Sequence, residues 1–242
     1  MTPELTALVA AASAWVLLHL GVAGSPLRRV IVARIREPGF RAMFSLLSLA
    51  GLVALIVTYR RAAAYGVNFD LWVPTRAALW APIVVMPVAL LLLVGSLTTP
   101  NPTSVGMERV LQAPEPACGI LRVTRHPMLW SFVLWAAAHA LANGDAASSV
   151  LFVAVAVPAL AGMFSIDRKR ARRDPVGWAR YAAVTSIVPF AAILAGRNRF
   201  VAREIGLGRV GLALLLTAVV VAAHPYLIGV SALPFGERAF AR

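Results

Sequence analysis

Six apolar runs, each about as long as a bilayer is thick, decide what this chain can fold into. They cover residues 5–24, 42–59, 77–97, 127–143, 148–166 and 207–229. A helix needs ~20 apolar residues to cross the ~30 Å hydrocarbon layer. In hydrocarbon, every backbone N–H and C=O must be satisfied within the segment, so each run is expected to be helical. The expected fold is all-α: a polytopic membrane helix bundle of about six transmembrane helices, read as one domain over residues 1–242. Composition agrees, with 60% hydrophobic and 14% charged residues against ~45–50% and ~25% in soluble proteins. A seventh apolar stretch, 182–195, is short and interrupted by Pro189. A run of that length is expected to be re-entrant or interfacial rather than spanning. Asn143-Gly144-Asp145 predicts a tight link between spans four and five, because Asn-Gly readily adopts positive φ.

The net charge of +13 suits either nucleic acid or an anionic membrane surface. The arginines sit in short links between apolar runs and no polar domain remains to hold a strand. Membrane lipid is therefore the expected partner, and nucleic acid is not. Arginine placement sets the orientation, since Lys and Arg gather in cytoplasmic loops. Arg28, Arg29, Arg34, Arg36 and Arg41 follow span one; Arg109, Arg122 and Arg125 precede span four; Arg168, Lys169, Arg170, Arg172, Arg173 and Arg180 follow span five. Only Arg60, Arg61 and Arg76 lie between spans two and three. The N-terminus is thus expected outside. Residues 1–18 hold Glu4 but no Lys or Arg, so the first run lacks the basic start of a signal peptide and reads as a retained span. The single cysteine, Cys118, excludes an intrachain disulfide and reads as a small inert residue.

Chemistry has few carriers here. There are four histidines: His19, His139 and His224 fall inside predicted spans, and His126 sits at the mouth of the fourth. An ionisable ring in a membrane bundle is costly and often marks function, and neutral imidazole is a good iron ligand. His126 and His139 are 13 residues apart, about 20 Å of rise and roughly 220° of rotation, so one iron cannot take both. Arg125-His126-Pro127 at a helix mouth could receive an anion. Trp15, Trp80, Trp130 and Trp135 read as interface or packing aromatics. There is no phosphate-binding glycine loop and no nucleophile elbow.

Several segments resemble the NnrU family. They are Leu18-His19-Leu20, the run from Arg41 to Leu52, Thr124-Arg125-His126-Pro127-Met128-Leu129-Trp130 running into Ala138-His139-Ala140-Leu141-Ala142-Asn143-Gly144, and Trp178-Ala179-Arg180-Tyr181 leading to Pro189-Phe190. The likeness covers most of residues 5–200. It implies a multi-pass protein of the bacterial inner membrane. One branch of the family comprises 15-cis-zeta-carotene isomerases, and that branch implies haem b held by His19 and His139, with His126 at the Arg-His-Pro position. Cofactor contacts would then come from His19, His139, His126 and Arg125, and the metal ligands would be His19 and His139. The isomerase carries a cysteine one turn before its second ligand; here that position is Ala136. The other branch implies a role with small nitrogen oxides in denitrification. The ligand of the site would accordingly be a polyene or a small nitrogen oxide. Depth along the spans offers a different pairing, His19 with His126 and His139 with His224, and both pairings stay open at this stage.

Two other readings remain. Arg-His-Pro followed by Tyr and Pro-Phe is similar to S-adenosylmethionine-dependent membrane methyltransferases, although their acidic pair has no counterpart in Ser165-Ile166-Asp167-Arg168. A non-enzymatic assembly or regulatory factor with packed histidines is the third. Enzymatic activity, as a haem-dependent cis–trans isomerase, is an expectation from the resemblance alone.

Overall fold

The computed structural model describes residues 1–234, and all of their regular structure is helical. In chain order the helices are α1 (Pro3–Leu17), a wide π-helical turn (Leu18–Ala23), α2 (Leu27–Tyr65), α3 (Arg76–Thr98), a 3-10 turn (Glu108–Gln112), α4 (Ile120–Val123), α5 (Pro127–Asn143), α6 (Ala146–Arg173), α7 (Pro175–Val184), α8 (Ala191–Leu194), α9 (Ala202–Ile205) and α10 (Leu207–Leu227). Among the described residues, five helical segments are long and apolar enough to cross a membrane: Pro3–Ala23, Leu27–Tyr65, Arg76–Thr98, Ala146–Arg173 and Leu207–Leu227. They coincide with five of the six expected spans. The remaining one, α5, has 17 residues and sits at the short end of the spanning range. The spans keep much of their apolar surface uncovered. On α10, Leu212, Leu214, Leu215, Val219 and Val220 are all exposed, facing more than one side of the helix, as expected where the solvent is lipid.

The segment after the π-helical turn departs from expectation. Arg28 to Arg41 reads as a loop in the sequence, yet it continues into one helical run with α2, kinked at Arg36 (φ 63°, ψ 169°) just before Pro38. Proline cannot continue the hydrogen-bond ladder behind it, so the break falls there. Glu37 bridges the kink by pairing with Arg28 and Arg41.

Cα packing divides the chain into two compact units: Met1–Leu79 with His139–Gly162, and Trp80–Ala138 with the chain from Met163 onward. The core of the first comprises Leu5, Leu8, Ala12, Leu55, Ala62, Ala147 and Ala154. Its Asn143–Asp145 turn is pinned by the 68–72 loop. Leu71 N–H donates to the Gly144 carbonyl at 2.8 Å, and Ala146 N–H to the Phe69 carbonyl at 3.0 Å. Asp145 caps α6 by accepting from Ser148 N–H (2.9 Å) and also accepts from Asn68 Nδ2 (2.8 Å). Gly144 has φ +73°, and a Cβ there would collide with the Trp72 carbonyl.

In the second unit, the stretch 182–195 is no continuous helix. It leaves α7 at Thr185, turns back at Phe190 (φ 64°) and ends in the single turn α8. Its backbone is satisfied by the strand-like link before α5. The Ser186 carbonyl accepts from Arg125 N–H (3.0 Å) and the Val123 carbonyl from Phe190 N–H (2.8 Å), while the Ile187 carbonyl accepts from Thr124 Oγ1 (2.7 Å) and Trp130 Nε1 (2.8 Å). Protein groups thus satisfy the backbone of this irregular stretch.

Candidate functional site

The sequence-derived site residues fall into two places. His19 and His139 belong to the first unit, and Arg125 and His126 to the second.

His19 lies in the π-helical turn Leu18–Ala23. π-Turns insert an extra residue into a helix and recur at functional positions. Its Nδ1 bonds to the Trp15 carbonyl at 2.9 Å, which leaves Nε2 as the nitrogen for any further partner. The ring lies 4.3 Å from that of Trp15 and 5.3 Å, edge-on, from that of Phe44. His139 is half-buried on α5, with its ring 5.6 Å from Phe152 on α6. Its carbonyl accepts from Asn143 Nδ2 at 2.7 Å, closing the last turn of the helix. Cross-helix neighbours fix the relative levels of the two rings. Thr2 approaches Gly66, Trp15 approaches Gly51 and His19 faces Phe44, so α1 and α2 run antiparallel. Tyr59 meets Ser148, one turn from Phe152. At 1.5 Å per residue, His19 therefore lies roughly 10 Å further along α1 than the level of His139.

His224 is half-buried near the end of α10, with Nδ1 bonded to the Val230 carbonyl at 2.8 Å. Among the described residues, no group of three or more His, Cys, Asp or Glu converges as metal ligands do; a bis-imidazole haem site needs only two.

The more densely built polar site is in the second unit. Thr124 and the 186–190 turn hold the first residues before α5, and this aims Arg125 and His126 inward. His126 is 2% exposed, and its Nε2 lies 2.7 Å from Asp167 Oδ1 on α6. That bond uses Nε2 and leaves Nδ1 without a hydrogen-bond partner. The same carboxylate faces Arg125, with Oδ2 3.3 Å from Nε. This is an ion pair without hydrogen-bond alignment, since Arg125 Nε finds no hydrogen-bond acceptor. Arg125 Nη1 is 3.5 Å from Thr185 Oγ1, and its guanidinium lies over the Trp178 ring, 5.6 Å from the centroid. Tyr181 is fully buried beside them. Three buried polar atoms here lack a hydrogen-bond partner: Arg125 Nε, His126 Nδ1 and the Tyr181 hydroxyl.

Burial dominates the electrostatics. Desolvation pushes the His126 imidazole below its ordinary pKa, against the pull of Asp167, and Arg125 shifts down for the same reason. Burial pushes the Tyr181 hydroxyl far up. Burial thus makes both His126 and Arg125 harder to charge than in water, beside the Asp167 carboxyl.

The sequence reading missed Asp167. It treats Ser165–Arg168 only as lacking an acidic pair. The available signal is that Asp167 is the sole acid between Asp145 and Asp174, while Arg125 and His126 both require an acceptor once buried.

A family comparison bears on both places. The model of the NnrU protein family matches residues 7–232. The chain belongs to the NnrU family. Two relatives of this NnrU protein are chloroplastic 15-cis-zeta-carotene isomerases. The one from Arabidopsis thaliana is 34% identical over 80 residues, covering 33% of this chain and 22% of the relative. The one from Zea mays is 35% identical over 81 residues, covering 34% and 22%. The aligned stretch thus spans about a fifth of those relatives' length. No solved structure matches the chain.

Proposed function

We propose that this NnrU-family membrane protein binds haem b in its first unit through His19 and His139, and acts on a polyene as its isomerase relatives are named for doing. The carrying observation is the tethering of the His19 ring. Its Nδ1 is fixed by the Trp15 carbonyl, which sets the tautomer and turns Nε2 outward, the arrangement that second-sphere bonds give to metal-ligating histidines. The neighbours Trp15, Phe44 and Phe152 suit a flat apolar macrocycle. When bound, haem supplies the redox-active iron. The chain would supply two imidazoles and the aromatic contacts of Trp15, Phe44 and Phe152. A small nitrogen oxide is the other ligand class the family suggests. The same residues would admit it only if one of the two imidazoles gave way. The setting is the inner membrane of a bacterium, with the N-terminus outside.

Both imidazoles must reach within ~2.0–2.1 Å of a shared iron, across the roughly 10 Å difference in level. Optical and EPR spectra of the detergent-solubilised protein from haem-replete cells test this demand. Bis-histidine ligation predicts a low-spin spectrum that becomes five-coordinate high-spin in both His19→Ala and His139→Ala. A variant that keeps the low-spin spectrum removes its histidine from the ligand set, and a colourless wild type sinks the reading.

A further inference from the structure

We propose that the second unit carries a phosphate-binding site, lined by Arg122, Arg180 and Arg197, at the cavity beside the 114–117 loop. The cavity has a volume of about 190 Å³, and Asn198 and Glu115 complete its polar lining. Its guanidiniums differ in how their charge is met. Arg122, with its side chain 7% exposed, donates to both oxygens of Glu204 (2.8 and 2.9 Å) and to Asn198 Oδ1 (2.9 Å). Gly119 N–H adds a bond to the same carboxylate at 2.7 Å. Glu204 therefore holds Arg122 rigid and neutralises it, and the pairing keeps the Glu204 carboxyl below its ordinary range.

Arg180 and Arg197 are held differently. Arg180 Nη2 donates to the carbonyls of Leu111 and Ala113. Arg197 Nη1 donates to those of Ala183 (2.6 Å) and Thr185 (3.2 Å), at the end of α7. Carbonyls orient a guanidinium but leave its charge intact. Among the described residues, no carboxylate lies within 4.0 Å of either one. Glu115 reaches only Arg122, at 3.6 Å, and is largely exposed. Arg125 approaches the same Thr185 from the other side, and its own charge is met by Asp167. Two fixed positive charges thus remain unanswered at the rim of one cavity. Their planar donor forks suit the oxygens of a phosphoryl group. With the Glu115 carboxylate in the same lining, three guanidiniums face two carboxylates, and the surplus positive charge favours an anion. A phosphoryl group with free oxygens is found in inorganic phosphate and in the monoester headgroup of phosphatidate, and basic pockets at a membrane surface take lipid headgroups.

The site is independent of the haem reading and is tested on the whole protein without reference to it. Detergent-solubilised protein is titrated with inorganic phosphate, dioctanoyl phosphatidate and, as the zwitterionic comparison, dioctanoyl phosphatidylcholine. Saturable binding of inorganic phosphate or of phosphatidate is expected. It should weaken at least about tenfold in the Arg180→Gln, Arg197→Gln double variant, the loss of one charge-assisted hydrogen bond. Glutamine keeps an N–H for the carbonyls, and Arg172→Gln, exposed like Arg180 and Arg197 but not part of the cavity lining, serves as the control and should change affinity less than about twofold. Much tighter phosphatidate binding assigns the site to a lipid, and equal affinities assign it to the free anion. Arginine modification by phenylglyoxal, mapped by mass spectrometry on the wild type, checks the site without any variant: the bound ligand should protect Arg180 and Arg197 but not Arg172. Absence of saturable binding of both inorganic phosphate and phosphatidate, equal binding of phosphatidylcholine, unchanged affinity in the double variant, or no protection overturns the proposal.

Discussion

Asp167 serves two cations at once, and its removal separates them. Arg125 is largely buried, its side chain 12% exposed, and Asp167 is the carboxylate that answers its charge. Asp167→Asn keeps an oxygen to accept from His126 Nε2 but leaves the guanidinium unneutralised. Removing one partner of a buried pair costs about 3–5 kcal/mol, so the variant should lose stability on that scale in unfolding from detergent, whereas Arg172→Gln should change little. A loss under about 1 kcal/mol, the size of a surface pair, would mean that solvent or headgroups reach Arg125. Arg125 and His126 were legible in the sequence as a basic pair at a helix mouth. Asp167 was not, because it lies 41 residues away and only the fold folds α6 back beside α5. The lowered basicity of His126 was equally hidden: it comes from burial, which a sequence does not display.

Elements were legible in proportion to how far lipid dictates them. The apolar runs 5–24, 77–97, 148–166 and 207–229 each lie in a long helix, because hydrocarbon leaves an unpaired backbone no alternative. Outside hydrocarbon that rule lapses. The arginine-rich stretch Arg28–Arg41 resembles a loop by charge, yet it is helical up to and beyond its kink, since arginine is a good helix former and Glu37 bridges the break. Pro189 marks the turn in 182–195, but the groups that hold that turn, Thr124 and Trp130, lie some sixty residues earlier. The Asn143–Asp145 link was readable from Asn-Gly alone. It supplies a direct test: Gly144→Ala meets both a positive φ and the Trp72 carbonyl. The variant should lose roughly 1 kcal/mol or more and lower the thermal midpoint of the solubilised protein. An unchanged midpoint would show that the 68–72 loop is not packed against this turn.

At the scale of the molecule, charge and packing agree about one end of the first unit. The N-terminal Thr2, Gly66 and the Gly144 turn with its 68–72 loop gather there, and these are the arginine-poor connections. Positive charge accumulates on cytoplasmic loops, so this end is expected to face outward. Single cysteines placed in a Cys118→Ser background test it in intact cells. Val67→Cys, on an exposed position, should react with a membrane-impermeant maleimide. Val105→Cys, equally exposed and on the connection between α3 and α5, should react only after the cells are opened. The reverse pattern would invert the topology.

The π-helical turn at Leu18–Ala23 has a further consequence for that unit. It holds one residue more than an α-helix of the same length, and Gly21, inside it, has no heavy atom near where a Cβ would sit. Rewinding the same residues as ordinary α-helix, with none excised, would swing the chain beyond them by about 100°. The side from which Phe44 approaches the His19 imidazole is therefore set by the way the wide turn absorbs a single extra residue.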